Sequence, residues 1–497
     1  MNGVVASVTG GCERRPPATV TPVYEVQPIP ALPLTRFEPL VGDAHAARLR
    51  AAAERAAVAL KDRSVWNVNS TASGGGVAEM LQPLVAYARG AGVDARWVVI
   101  EGDPEFFRIT KRLHNGFHGQ AGDGGPLGHP EHAHYEKVLT DNAEALGAVV
   151  RAGDVMLLHD PQTAGLVPAM VGAGTLAFWR DHIGTDVANE LTERSWAFLR
   201  PYLTEAAGFV FSRPAYVPDW LRGDPRVHII APSIDPFSTK NADMAPSTVR
   251  AVLAHAGIIQ ATGDLDVPAF VRRDGSPGRV DHVADIVRAG PAPLPDTPLV
   301  VQVSRWDRLK DMYGVMEGFA EHVLAGTDAQ LALVGPNVTG VADDPEGAEV
   351  LDECVARWRT LPDAARVRIQ LVALPMADVE ENAAIVNAVQ RHAAVVVQKS
   401  LAEGFGLTVA EAMWKSRPVV ASAVGGIQDQ IVHGEHGLLV RDPTDPEEFG
   451  AHLRRLLTDP AFAEQLGRQA RERTVQLFLG SRHLIEYAQL FSTLIET

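Results

Sequence analysis

From Ser64 to Ser422 the chain alternates between two hydrophobic patterns. Short unbroken apolar runs of four to six residues come first. They are followed by longer stretches in which apolar residues recur every third or fourth position. Runs of the first kind read as strands buried on both faces of a parallel sheet, and the second kind as amphipathic helices. One set of strands is Ser64–Val68, Ala95–Ile100, Asp154–His159, Thr175–Trp179, Gly208–Ser212 and Val227–Ile230. A second set is Leu299–Val303, Gln330–Val334, Val367–Leu371, Ala393–Val397 and Pro418–Ser422. Helices are expected at Asp43–Leu60, around Val77, Met80, Leu81, Leu84, Val85 and Ala88, at Met312–Leu324 and at Ser481–Ile495. Strand and helix in alternation predict an α/β fold with two doubly wound, Rossmann-like domains. Phe237–Thr297 breaks the pattern with Pro, Gly and Asp clusters and one helical piece, Pro246–Ala254. It reads as a linker enlarged by an insertion. The start of the chain is rich in Pro, Thr and Val without helical period and reads as an extended arm. The expected division is an arm at 1–40, a first domain at 41–236, a linker at 237–297, a second domain at 298–478 and a closing helix at 479–497.

Ligands bind such sheets at the C-terminal ends of their strands, so the polar clusters there matter most. The stretch Lys399–Glu411, KSLAEGFGLTVAE, follows an apolar strand and opens a helix near Leu407. Gly404 and Gly406 allow close backbone approach, and the free N–H groups of a helix start suit an anion such as a diphosphate. Glu403 lies in the turn and Glu411 about one turn into the helix. Carboxylates on both sides of an anion site make sense if they bind hydroxyls, as at the two ends of a sugar nucleotide. An ordinary strand–loop–helix with two surface glutamates is the alternative. Arg305 and Lys310, in SRWDRLKD after Leu299–Val303, put two cations at a strand end. Fixed there, they would stabilise a departing diphosphate more than the bound one; a solvated charged turn is the alternative.

Three further clusters stand out. Gly74, Gly75 and Gly76 form a glycine loop in NVNSTASGGGV but lack the rest of a dinucleotide fingerprint. His159 and Asp160, in HDPQ, end a strand; the histidine can bind a sugar hydroxyl or a backbone carbonyl, and the aspartate can accept from an acceptor sugar. His114, His118, His129, His132 and His134 fall in a glycine-rich segment that reads as a polar surface loop rather than a metal site, because zinc needs converging ligands.

Composition narrows the partners. The formal charge of −16 over 497 residues argues against nucleic acid and anionic membranes. Two distant cysteines, Cys12 and Cys354, exclude a disulfide framework. Absent an apolar stretch of about 18 residues or a signal-peptide core, a cytoplasmic location is expected.

The paired glutamates Glu403 and Glu411 resemble those of retaining GT-B glycosyltransferases, the large family 4 that includes sucrose- and trehalose-forming enzymes. NVNSTASGGGVAEML, HDPQ and the Trp179–Arg180 pair with His182 are similar to its trehalose-forming members. The resemblance covers most of 60–235 and 298–495. It implies a GT-B fold whose last helix crosses back to the first domain. It also implies transfer of glucose from a nucleoside-diphosphate glucose to glucose, making trehalose. In that family Arg305 and Lys310 would hold the diphosphate, with the loop Gly74–Gly76 approaching it across the cleft. Glu403 and the backbone of Gly404, Phe405, Gly406 and Leu407 would hold the donor sugar, and Glu411 the ribose. His159 would contact the donor sugar; Asp160, Trp179, Arg180 and His182 would shape the acceptor side. Gly425 and Gly426 would wall the nucleotide pocket. No tightly bound cofactor is implied, Mg2+ is compatible but not required, and a homodimer is compatible too. A retaining trehalose phosphorylase, a transferase with another acceptor and a non-catalytic sugar-nucleotide sensor are the alternatives.

Overall fold

The computed structural model describes residues 23–26, 29–72, 75–338 and 345–495. Two seven-stranded sheets form the two domains. The first contains β1 (Val23–Glu25), β2 (Ser64–Asn69), β3 (Asp94–Ile100), β4 (Val155–His159), β5 (Leu176–Asp181), β6 (Gly208–Phe211) and β7 (Val227–Ile229). Its order is β1-β3-β2-β4-β5-β6-β7, all parallel except β1, which pairs antiparallel with β3. Between the domains lie a small hairpin, β8 (Ala269–Val271) and β9 (Pro277–Arg279), and strand β10 (Asp285–Val287). The second sheet adds β11 (Leu299–Val303), β12 (Gln330–Pro336), β13 (Ile369–Leu374), β14 (Val395–Gln398), β15 (Val419–Ser422) and β16 (Leu438–Val440). Its order is β10-β13-β12-β11-β14-β15-β16, with β10 antiparallel to β13. This is the GT-B arrangement.

Each central strand is buried on both faces, which is why it reads as an unbroken apolar run. Alternate residues go to opposite sides. In the first domain Trp66, Val68, Met156, Leu158 and Trp179 pack on one face. Val65, Leu157 and Phe178 pack on the other, against Ala488, Leu490 and Phe491 of the helix Gly480–Ile495. That helix has crossed back from the second domain to lie on the helix Asp43–Ala59.

Three expectations change. The strand placed at Val367–Leu371 starts later, at Ile369, because Asp363–Arg366 is a helical turn and Val367 is exposed. Within 237–297, the helix Pro246–His255 and strand β10 pack with the second domain, while Phe237 packs edge-on against Phe37 of the first. The helix Pro246–His255 packs on the helix Val379–His392, burying Val252, Leu253, Ile258 and Ile259 with Val301 and Val334. The histidine-rich segment is mostly helical rather than a surface loop. His114 lies in the helix Pro104–Phe117, His118 caps it, and His129, His132 and His134 lie in the helix His129–Gly147. Of the arm, residues 1–22, 27 and 28 lie outside the described residues. Residues 23–25 supply β1, and Phe37 is fully buried against Tyr87.

Candidate active site

The C-terminal ends of the two sheets face each other, and the Glu403 turn lies between them. Glu403 accepts from Lys310 Nζ at 2.7 Å and from Ser400 Oγ at 3.2 Å. The turn runs into the helix Leu407–Trp414, which Gly406 caps at φ 85°. Non-glycine residues pay a steric cost there, so the sharp entry needs glycine. A Cβ on Gly404 would come within 2.8 Å of the His182 carbonyl, so the turn touches the first domain's wall directly. A Cβ on Gly425 would sit 1.7 Å from the Glu403 carbonyl, and Gly426 N donates to the Gly404 carbonyl at 3.0 Å. The two glycines therefore back the turn.

Lys310 is fixed from below. It ends the short 3-10 turn Arg308–Lys310 after β11, and its carbonyl accepts from Gln302 Nε2 at 2.6 Å. Gln302 Oε1 in turn accepts from Lys399 N at 3.2 Å, and Leu401 N donates to the Leu309 carbonyl at 2.8 Å. The loops after β11 and β14 are thus tied together. Asp311, at φ 49°, caps the next helix through Gly314 N and pairs with Lys399. Arg305 contacts Asp307 Oδ2 at 3.2 Å and is half exposed. Burial would raise the Asp307 carboxyl, but Arg305 and Lys310 outweigh it and hold it below its ordinary value. From the first domain, a Cβ on Gly76 would come 3.1 Å from the Leu407 side chain, so this glycine meets the helix start across the cleft. Gly75 is open on its side chain's side, and Gly74 lies outside the described residues.

The wall facing this turn differs from the sequence reading. His159 is buried, and both ring nitrogens are engaged. Nε2 meets Asn67 Oδ1 at 3.4 Å, and Nδ1 meets His182 Nε2 at 3.0 Å. Asn67 gives its amide N–H to the Arg96 carbonyl, so its Oδ1 accepts. His159 then carries its proton on Nε2, and His182 donates from Nε2 to His159. Burial first, and Arg180 second, push the His159 ring down to about 3, so it is neutral. His159 therefore stands behind His182, and it is His182 that touches the Glu403 turn. Trp179 and Arg180 are 0% exposed and line no open wall. Trp179 packs edge-on against Trp196 and Phe211, and its Nε1 donates to the Asp160 carbonyl at 3.0 Å. Phe405 likewise packs on Phe478 and offers only its backbone to a ligand. Asp160 adopts φ 64°, an unusual backbone for a side-chain-bearing residue. Its carboxylate accepts from His182 N at 2.9 Å, and burial raises it to about 7 against the pull of that N–H and Arg180.

Other residues were missed in the sequence. His118 is buried facing the Lys310–Glu403 pair; burial, then Lys310, lower it to about 4, with Glu403 opposing. Its Nδ1 meets the Gly184 carbonyl at 3.1 Å. A carbonyl only accepts, so the proton sits on Nδ1 and Nε2 is left as an acceptor. Tyr216 donates its hydroxyl to the Glu403 carbonyl at 3.0 Å and the Gly404 carbonyl at 2.6 Å. Arg213 joins Asp186 of the first domain to Asp429 of the second, and Asp186 also accepts from Gly425 N at 2.9 Å. Glu411 lies one turn below the helix start, almost fully buried. It lines a cavity of about 430 Å³ with Lys240, Glu79 and residues of the β8–β9 hairpin. Burial raises its carboxyl, with Lys240 and Lys415 opposing. Among the described residues no cluster could hold a metal ion, and no helix is long and apolar enough to cross a membrane.

The arrangement offers an anion site ringed by cations and a helix start, with a carboxylate on either side. The chain as a whole is similar to known proteins. Residues 67–218 match the family described as "Trehalose synthase, N-terminal domain", and residues 288–473 match "Glycosyl transferases group 1". A trehalose synthase of Pyrococcus horikoshii is 32% identical over 461 residues, covering 93% of this chain and 96% of that protein. One from Rubrobacter xylanophilus is 34% identical over 443 residues, covering 88% and 92%. In structure, a UDP-forming alpha,alpha-trehalose-phosphate synthase from Burkholderia vietnamiensis aligns with a TM-score of 0.61 over 88% of this chain and 99% of its own. At 15% identity that likeness speaks for the fold alone.

Proposed function

The chain belongs to the trehalose synthase family of glycosyltransferases, and on that premise we propose that it moves glucose from a nucleoside-diphosphate glucose to glucose, with retention, to form trehalose. The observation that carries this reading is the Lys310–Glu403 pair at 2.7 Å, set at the start of the 407–414 helix with Gly76 closing from the other domain. Lys310, Arg305 and the free N–H groups of that helix would take the diphosphate. Glu403 would take hydroxyls of the transferred glucose, and Glu411 those of the ribose.

As the bond from the anomeric carbon to the phosphate oxygen breaks, charge grows on the diphosphate. Groups already fixed there stabilise it without reorganisation. The acceptor hydroxyl bonds to the anomeric carbon from the same face, and its proton passes to the departing phosphate oxygen. A double displacement would need a carboxylate nucleophile on the opposite face. Glu403 is held by Lys310 and Ser400 on the diphosphate side, which favours the single-face route. In this reading the diphosphate charge is met by side chains and backbone, and Mg2+ is not required. His182, backed by His159 and by Asp160, would form the first domain's wall against the sugars.

The test is incubation with a panel of nucleotide sugars plus glucose, with NMR of the products. The α,α-linked disaccharide together with one equivalent of nucleoside diphosphate is expected. Turnover only with trehalose and inorganic phosphate would point to a phosphorylase, and no turnover with any donor would point to a sensor.

A further inference from the structure

The segment between the two family matches carries a lysine that reaches both sides of the cleft. Lys240 Nζ donates to Glu79 Oε1 and Oε2 at 2.8 and 2.7 Å, and lies 3.8 Å from Glu411 Oε1. Glu79 belongs to the first domain, three residues after Gly76. Glu411 belongs to the second. The lysine's backbone is held in place. Asn387 Nδ2 donates to the Thr239 and Ala242 carbonyls at 3.0 and 2.8 Å, pinning this stretch to the 379–392 helix. Lys415, the other cation near Glu411, is already committed. Its Nζ donates to Asn241 Oδ1, Gln390 Oε1 and the Glu411 backbone carbonyl at 2.8, 2.7 and 3.3 Å. Lys240 is therefore the cation that lies beside the Glu411 carboxylate, both lining the cavity.

We propose that Lys240 is a positioning residue for the donor's nucleoside end: it holds the Glu411 carboxylate in place on the 430 Å³ cavity and ties it through Glu79 to the helix that follows the glycine loop. This rests on Glu411 binding ribose. A neutral Glu411 would keep only part of its accepting capacity, and ribose hydroxyls need acceptors. Burial pushes Glu411 towards that neutral form, and Lys240 is the largest influence opposing it. The groups facing Glu411 are Lys240 from the linker, Glu79 from the first domain, Lys415 on its own helix and Gln390 on the neighbouring one. The cavity's other charged groups are Arg36, Asp235, Asp243, Arg272, Arg273 and Glu380. Lys240 itself stays charged, because the two carboxylates outweigh the lowering effect of burial.

The experiment is calorimetric titration of the full chain with uridine and adenosine diphosphates, and separately with inorganic pyrophosphate, from pH 6 to 8. The variants are Lys240→Met, Lys240→Arg and Glu411→Gln. Lys240→Met is expected to weaken nucleoside diphosphate binding about tenfold at pH 7, the loss of about one charge-assisted contact. The loss grows as pH falls, since the glutamate protonates more easily. Pyrophosphate binding stays as in wild type, and Lys240→Arg restores the nucleotide. Wild-type affinity in Lys240→Met beside a weakened Glu411→Gln overturns the role of Lys240 alone. Wild-type affinity in Glu411→Gln overturns both the role and the ribose assignment. A loss that is equal at every pH and extends to pyrophosphate reveals a purely structural lysine and overturns the proposal.

Discussion

Replacing Tyr216 by Phe removes one hydroxyl and leaves the ring in place. Tyr216 is 4% exposed and belongs to the first domain's core, so the variant should fold with little change in stability. The hydroxyl serves two carbonyls of the other domain, and their fates differ. The Gly404 carbonyl keeps its bond from Gly426 N at 3.0 Å. The Glu403 carbonyl loses its tyrosine partner. An unmade buried hydrogen bond costs about 1–3 kcal/mol, and the remaining partner at Gly404 places this case near the lower end, ~1.4 kcal/mol. That cost falls on the closed arrangement, the one in which Tyr216 meets the Glu403 turn. A shift of that size is about tenfold in the closed population and hence in kcat/KM. Affinity for the bare nucleoside diphosphate, which in the proposed reading the second domain holds, should change less than threefold. The assay is initial-rate kinetics beside calorimetry, with small-angle scattering of the liganded protein to read compaction. A kcat/KM within a factor of two of wild type, with unchanged scattering, would refute the view that Tyr216 couples closure to the Glu403 turn.

Lys310→Ala should slow turnover by about 10²–10³-fold, the cost of losing one fixed transition-state contact, and also strips Glu403 of its cation; rates within threefold of wild type would remove Lys310 from the site. Glu411→Gln should raise KM more than it lowers kcat, whereas Glu403→Gln should lower kcat and spare affinity for the diphosphate product. The reverse pattern in calorimetry and steady-state rates would exchange the two ends of the donor. Asp160 gives a pH signature: its folded carboxyl titrates at about 7, above the ordinary value of 3.8, so the unfolded chain ionises first. Its burden on stability is absent below about pH 4, grows as pH rises towards 7, and is constant beyond. Asp160→Asn should therefore flatten the fall in urea midpoint between pH 5 and 7, and an unchanged slope would show that another group sets it.

The sheets were legible because their apolar runs are unbroken and buried on both faces, whereas the crossing of the last helix came from the family resemblance alone. The Glu403 turn was legible because glycines and a helix start mark it. Trp179 is buried for a reason of register. β5 continues to Asp181, so Trp179 falls inside the strand, and alternation sends it to the core. The helix holding His114 did announce itself: Asp103 caps it, Pro104 opens it, and Phe106, Ile109, Leu113 and Phe117 share one buried face. Counting histidines hid that period. Tyr216 and Lys240 carried no local signal. Their partners lie 187 and 161 residues away, and only the folded chain brings them together.

The crossing helix also imposes an order of assembly. The sheet face built from Val65, Leu157, Phe178 and Val210 is covered by Ala488, Leu490 and Phe491. On a ribosome, the first domain emerges hundreds of residues before that cover does. It must wait with an apolar face uncapped while the whole second domain is synthesised. Native completion of the first domain then awaits synthesis of the second, and each domain's folding reports on the other's. Such a nascent chain presents the kind of exposed hydrophobic surface that chaperones hold, and damage in the second domain would be felt as misfolding of the first.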